Sequence, residues 1–363
     1  LRLKESVADD RLEELMRSYW ASDRMTEEAV LMVAGEDGGV ATGRLLFTPL
    51  RIISVKSASL EAEYGEGRDW LCRGKELLLS AGSSIPWMTE AELHPAVPPR
   101  EGSSCPRPGG GFILTDKAVL HSRRLAVTYI HSGREWGGPV PVFAGDRLPC
   151  TIGRLKGGQP VSVALYGDSI SAGYDCSSML ELPPYQPAWG RLLAEWLRHI
   201  YPGGVQLHNP SVGGKSADWG LDHVEELVAN ERRDLVILGF GMNDGTGRVP
   251  PKQFGERILN MMTCIRRRWP DTEFILIAPM LPNPLAALPD EPEKSFFGEQ
   301  LNYKPVLEEL AAAPGCALLD MTSVHGWLLQ HKAYWDMTGN QTNHPNDFLS
   351  RWYAQTAAAL LAE

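Results

Sequence analysis

The chain has 363 residues, of which 43% are hydrophobic and 22% charged, and a formal net charge of −10. A single hydrophobic core rarely organises that much chain, so two domains are expected. No apolar run approaches the ~18 residues of a membrane span, and the negative mean field disfavours nucleic acid and anionic membranes as partners.

The first predicted element is a short amphipathic helix within residues 1–24, where DDRLEELMRSYW places Leu12, Leu15, Met16 and Tyr19 on one face. Residues 25–150 then read as a β domain. Runs such as RIISVKSASLEAEY, DWLCRGKELLLSAG and LAVTYIHS are separated by Gly, Pro and Ser clusters such as PPREGSSCPRPGGG, the pattern of a β-sandwich of jelly-roll type. The opening LRLKESVADDR has neither a basic n-region nor an apolar h-region. The six cysteines (Cys72, Cys105, Cys150, Cys176, Cys264, Cys316) show neither a Cys-x-x-Cys pair nor zinc-type clustering with His. Both features point to free thiols and a reduced, cytoplasmic protein.

From residue 158 to 363 the rhythm changes to alternating strands and helices. VSVALYG, VQLHNPS, DLVILGFG, EFILIAPM and CALLDM are five apolar runs of the kind that parallel strands covered on both faces require. Between them, Trp189, Leu192, Leu193, Trp196, Leu197 and Ile200 recur at helical spacing, as do Phe254, Ile258, Met261, Met262 and Ile265. The latter helix should end at Arg266, Arg267 and Arg268, where cations suit the dipole. This alternation predicts a five-stranded parallel sheet with right-handed crossovers, and ligands gather at the carboxyl ends of such strands.

Those ends carry reactive and polar groups. Strand one stops at Gly167-Asp168-Ser169, strand two leads into NPSVGGKS, strand three into GFGMND, and TGNQTNHPND follows strand five. Taken alone, Ser169 also suits the cap of the next helix. Together, the four segments offer a hydroxyl nucleophile at Ser169 and a base at His344 to take its proton. The backbone N–H groups of Ser169 and Gly214 and the amide of Asn243 supply donors for an oxyanion.

GDSISAGYD, the glycine of NPSVGG, GMND and HP, in that order over about 200 residues, resemble the four sequence blocks of the SGNH (GDSL) hydrolase superfamily. The resemblance implies a flavodoxin-like three-layer α/β/α domain and ester hydrolysis without metal or organic cofactor. It casts Ser169 as nucleophile, Gly214 and Asn243 as oxyanion donors and His344 as base. A preceding β domain is similar to the layout of some carbohydrate esterases of that superfamily. One position departs from the pattern Asp-x-x-His-Pro: three residues before His344 stands Gln341. A carboxylate normally orients the imidazole. Three groups are candidates here: Asp336 reached across the loop MTGNQTN, a backbone carbonyl, or Gln341 itself.

GGKS falls short of a phosphate loop because Asn209 stands where its first glycine belongs, and no GxSxG elbow occurs. His121, His131, His325 and His331 lack metal-ligand spacing, although His131, in HSGREWGGP, lies close enough in sequence to reach the cleft. Trp136, Trp219 and Trp335 are candidates for lining a sugar cleft, and Pro-rich residues 281–297 for a lid. Ser171, Ala172 and Gly173 beside the nucleophile suggest a short acyl group. The expected function is a serine esterase acting on short-chain, acetyl-type esters of carbohydrate, its partner a small-molecule or oligosaccharide ester. A lipase or thioesterase, or a non-catalytic glycan binder, is the alternative.

Overall fold

The computed structural model describes residues 7–35 and 38–363. Helix α1 (Asp9–Met16) buries Leu12, Leu15 and Met16, the face its spacing predicts. The part of the predicted helical segment at residues 1–6 lies outside the described residues. Strand β1 (Arg24–Leu31) and strand β2 (Pro49–Ser57) follow, then helix α2 (Lys117–Arg123), which runs directly into strand β3 (Arg124–His131). β3 lies between β1 and β2 and is antiparallel to both, with Val127 opposite Glu28 on one side and Val55 on the other.

A second sheet joins five strands of two to four residues in the order Trp70–Arg73, Glu76–Leu79, Thr42–Arg44, Val33–Ala34, Met88–Thr89. Ser104–Pro106 and Phe112–Leu114 form a separate ribbon. The region is β-rich and mainly antiparallel, as its turn-punctuated runs imply. Its strand order, and the parallel pairing of Val33–Ala34 with Met88–Thr89, differ from the paired Greek keys of a jelly roll.

The second half is a doubly wound α/β unit. Its strands are β4 (Val161–Gly167), β5 (Val205–His208), β6 (Leu235–Gly239), β7 (Glu273–Ala278) and β8 (Cys316–Asp320). All neighbours are parallel, in the order β5-β4-β6-β7-β8. This is the flavodoxin-like order, whose switch point lies at the first strand. The helices between the strands are α3 (Ser169–Ala172), α4 (Trp189–Ile200), α5 (Ala217–Leu227), α6 (Met242–Thr246), α7 (Pro251–Arg268) and α8 (Gln300–Ala311), and α9 (Asp347–Leu361) follows the last strand.

Alternation along each strand divides the sheet's side chains between two layers. Leu165, Ile237, Ile275 and Leu319 pack with Trp189 and Leu193 of α4 and Trp352 and Tyr353 of α9. Tyr166, Leu238 and Leu276 pack with Val224, Phe254, Ile258 and Leu307 on the other face. The first layer does not stop at the sheet: Leu12, Tyr19, Val30, Phe47, Val55, Val127 and Tyr129 belong to the same contiguous core.

Polar bonds reinforce that continuity. The buried guanidinium of Arg351 on α9 donates to the carbonyls of Thr26 (3.1 Å) and Glu27 (2.7 Å) in β1 and to Gln186 Oε1 (2.6 Å). A buried charge is tolerated only when its donors are matched in this way.

Candidate active site

Strand β4 ends at Gly167 because the backbone must pass very close to its neighbour. A Cβ at Gly167 would come within 2.2 Å of the Gly239 carbonyl oxygen, and one at Gly239 within 2.3 Å of Ser171 Oγ. The chain then turns into the single helical turn α3. Its cap is Asp168, whose carboxylate accepts from Ile170 N–H at 2.9 Å, so Ser169 is the first helical residue and its hydroxyl is spared capping duty. Gly173 closes the turn at φ 87°, in the left-handed region that favours glycine.

The small residues here serve packing. Ser171 Oγ donates to the Gly239 carbonyl at 3.2 Å, and a Cβ on Gly173 would strike Ala188 at 2.2 Å. Their size therefore reflects the crowded floor beneath the turn, which corrects the reading of Ser171 and Gly173 as a measure of acyl size.

Ser169, only 4% exposed, directs Oγ at His344 Nε2, 2.8 Å away. The other ring nitrogen, Nδ1, lies 3.0 Å from Asp175 Oδ2. The carboxylate can only accept, so it selects the tautomer with the proton on Nδ1 and leaves Nε2 free to accept from the serine hydroxyl.

Asp175 stands six residues after Ser169, within the quoted GYD of the first block. It adopts φ 69°, a left-handed conformation that aspartate tolerates better than most residues, and it packs on Gly339, where a Cβ would come within 2.3 Å of its own. Burial pushes its carboxyl upward, but the His344 and Lys117 contacts outweigh this and hold it below the ordinary aspartate range.

The expected orienter Asp336 is thus corrected. Its Oδ1 accepts from Leu31 N–H at 2.8 Å and its Oδ2 lies 3.4 Å from Lys332 Nζ, so it joins the C-terminal loop to β1 instead of meeting the ring. Gln341 does not meet it either. That side chain is buried and donates to the Leu114 carbonyl at 3.0 Å. A backbone carbonyl is likewise displaced, since Asp175 occupies Nδ1. The loop is shaped by Asn340, whose Oδ1 accepts from the N–H groups of Thr342 (3.0 Å), Asn343 (3.0 Å) and His344 (3.2 Å).

The remaining predicted donors share the same rim. Gly214 lies in the loop after β5 at φ 75° and is exposed; the loop is held to β4 by Val212 N–H donating to the Gly167 carbonyl at 3.1 Å. Asn243 is the second residue of α6, the turn after β6, and its Nδ2 donates to the Lys215 carbonyl at 2.9 Å, which aligns it with the Gly214 segment.

Two buried carboxyls brace this rim. Burial raises Asp168 to about 7 against bonds from Ile170, Met242 and Ser171, and raises Asp244 to about 6 while it accepts from Ala217 N–H at 3.0 Å. Asp168 therefore ties the Ser169 turn to the Asn243 turn, and Asp244 ties the latter to α5.

His131 is buried and stacked on Phe47, with ring centroids 4.4 Å apart, so it lies in the N-terminal core and not in the cleft. His325 is also buried, which pushes it down to about 3, and it accepts from Leu281 N–H at 3.1 Å. Trp136 packs in the core against Trp327 and Trp352. Trp219 stacks on His223.

Trp335 lines a cleft of about 450 Å³ with His94, Leu281, Phe297 and Tyr334. Within residues 281–297 a small hairpin pairs Ala287–Leu288 with Glu291–Ser295. Asn283 fastens its base to the His344 loop through Thr342 (2.8 Å) and Gln341 (2.8 Å). Tyr174, 40% exposed, stands edge-on to His344 at 5.8 Å between ring centroids. Among the described residues, no group of three or more His, Cys, Asp or Glu side chains could hold a metal ion.

Residues 165–349 match the GDSL-like lipase/acylhydrolase family, and the chain belongs to it. A curated arylesterase from Vibrio mimicus is 31% identical over 100 residues, which are 28% of this chain and 46% of that protein; the chain thus spans about half the length of that relative. Among solved structures, a two-domain esterase (CEX) active on acetylated mannans is 17% identical, with a TM-score of 0.47 over 62% of this chain and 54% of that one. The acetylxylan esterase Axe2 from Geobacillus stearothermophilus is 17% identical, with a TM-score of 0.44 over 57% of this chain and 97% of that one.

Proposed function

We propose that the protein is a serine esterase that hydrolyses short-chain, acetyl-type esters of carbohydrate. The observation that carries this reading is the unbroken series Ser169 Oγ, His344 Nε2, His344 Nδ1, Asp175 Oδ2, with contacts of 2.8 and 3.0 Å. In the proposed reaction His344 takes the Ser169 proton as Oγ attacks the ester carbonyl, and then returns it to the departing alcohol. Water, deprotonated by the same nitrogen, releases the acid from the acyl-enzyme. The Ser169 and Gly214 N–H groups and Asn243 Nδ2 serve as the oxyanion donors.

Near-complete burial of Ser169, with the Tyr174 ring beside His344, supports a small acyl group. The cleft at Trp335 carries aromatic rings that suit a sugar, and its lining does not include Ser169, His344 or Asp175. Turnover of p-nitrophenyl acetate should exceed that of the decanoate, and acetate should be released from acetylated oligosaccharides. A preference for the long chain would make the protein a lipase, and absence of Ser169-dependent turnover would make it a binder.

If Asn243 is an oxyanion donor, Asn243→Ala should reduce kcat by about 10²–10³, the usual effect of deleting one such group, with KM little changed. Steady-state kinetics on p-nitrophenyl acetate provide the check.

A further inference from the structure

Asp175 has two carboxylate oxygens, and the imidazole uses one. The second, Oδ1, is met at 2.6 Å by Lys117 Nζ, which comes from the N-terminal β-rich region. We infer that Lys117 is a positioning residue of the hydrolytic site, supplied by the N-terminal region to hold Asp175 in its ionised, ring-facing state. The inference rests on the esterase reading above.

Several features fix Lys117 where it is needed. It is the first residue of α2, behind the Asp116 cap, and α2 also touches the hydrolase half through His121, whose Nε2 lies 2.7 Å from the Pro183 carbonyl. Leu120 anchors the helix in the core. The Lys117 side chain is 40% exposed and borders an open cleft of about 440 Å³, so it reaches Asp175 from the solvent side while the carboxylate itself is buried.

Without a partner, a buried oxygen of a charged carboxylate is costly, and protonation is the cheaper outcome. Arg124 of β3 adds a second positive field at Asp175, while its Nε and Nη2 donate to the Trp335 and Thr338 carbonyls. The charged and titratable groups facing the Asp175–His344 pair are Lys117 from α2, Arg124 from β3 and Tyr174, whose ring stands edge-on to His344.

Lys117 helps hold the Asp175 carboxyl low. With Lys117 removed, nothing offsets the negative field of Asp175 at the ring from that side, and the Asp175–His344 pair takes up its proton at higher pH. The acidic limb of activity, which belongs to the coupled pair, should then move upward in pH.

The test compares wild type, Lys117→Met and Lys117→Arg on p-nitrophenyl acetate between pH 5 and 9. The acidic midpoint of kcat/KM in Lys117→Met should rise by about 0.5–1 in pH, a shift at the modest end for a half-exposed cation. Loss should therefore be several-fold near the acidic limb and nearly absent at alkaline pH, and Lys117→Arg should restore most of the wild-type profile. A loss that is equal at every pH, or an unchanged profile, overturns the inference. A fluorophosphonate probe separates the two readings: Ser169-dependent labelling with an unchanged Lys117→Met profile removes only the role of Lys117, whereas absent labelling removes the esterase reading as well.

Discussion

Replacing Ser169 with alanine is expected to lower kcat by on the order of 10⁵, because nucleophile and base act as a unit whose loss leaves only the contribution of binding and oxyanion donors. The fold should survive. The turn that carries Ser169 is held by Asp168 bonding Ile170 N–H at 2.9 Å and by glycine packing at 167, 173 and 239, none of which involves the serine hydroxyl. An unchanged melting temperature with abolished fluorophosphonate labelling is therefore the expected pair of results. Turnover in Ser169→Ala within tenfold of wild type would exclude the mechanism proposed above.

Asp175→Asn should rank next, with a fall in kcat of about 10⁴. The substitution removes the charge that stabilises imidazolium and allows the ring to adopt the wrong tautomer. Asp336→Asn should behave differently. Asp336 accepts from Leu31 N–H at 2.8 Å and faces Lys332, which Glu28 also meets at 2.7 Å, so the loss falls on a buried structural network and not on the ring. The expected outcome is a lowered melting temperature with kcat of the folded protein preserved within about threefold; breaking a buried pair costs stability in the several-kcal/mol range. Parallel melting curves and steady-state rates on the two variants decide the matter, and a reversed pattern would restore Asp336 to the ring.

The sheet was legible because its signal is local. Apolar runs such as LVILG and the helical spacing of Phe254, Ile258 and Met261 dictate their own burial, and parallel strands joined by crossover helices admit few arrangements. That Ser169 and His344 would meet was legible for a related reason, since strand ends in such a sheet converge on one rim. Asp175 was not, although a signal was available in the GYD of the first block. Its role depends on a left-handed backbone at φ 69° and on the close approach of Gly339 from a distant loop, neither of which a residue pattern conveys. Asp336 and Gln341, which precede His344 in the sequence, are both claimed by the N-terminal sheets through Leu31 and Leu114. The five-stranded N-terminal sheet escaped detailed prediction because strands of two to four residues carry too little periodicity to fix their partners.

Ser169 and Asp175 occupy opposite ends of one tight bend, six residues apart, so the bend limits how far they can separate. The imidazole arrives separately, on a distant arm fastened by Asn283, Arg124 and Asp336. Slippage of that arm would draw the ring away from both oxygens together. Weakened fastenings would then divide a population into fully competent and fully silent molecules, and bulk assays would register fewer working copies at an undiminished rate per copy.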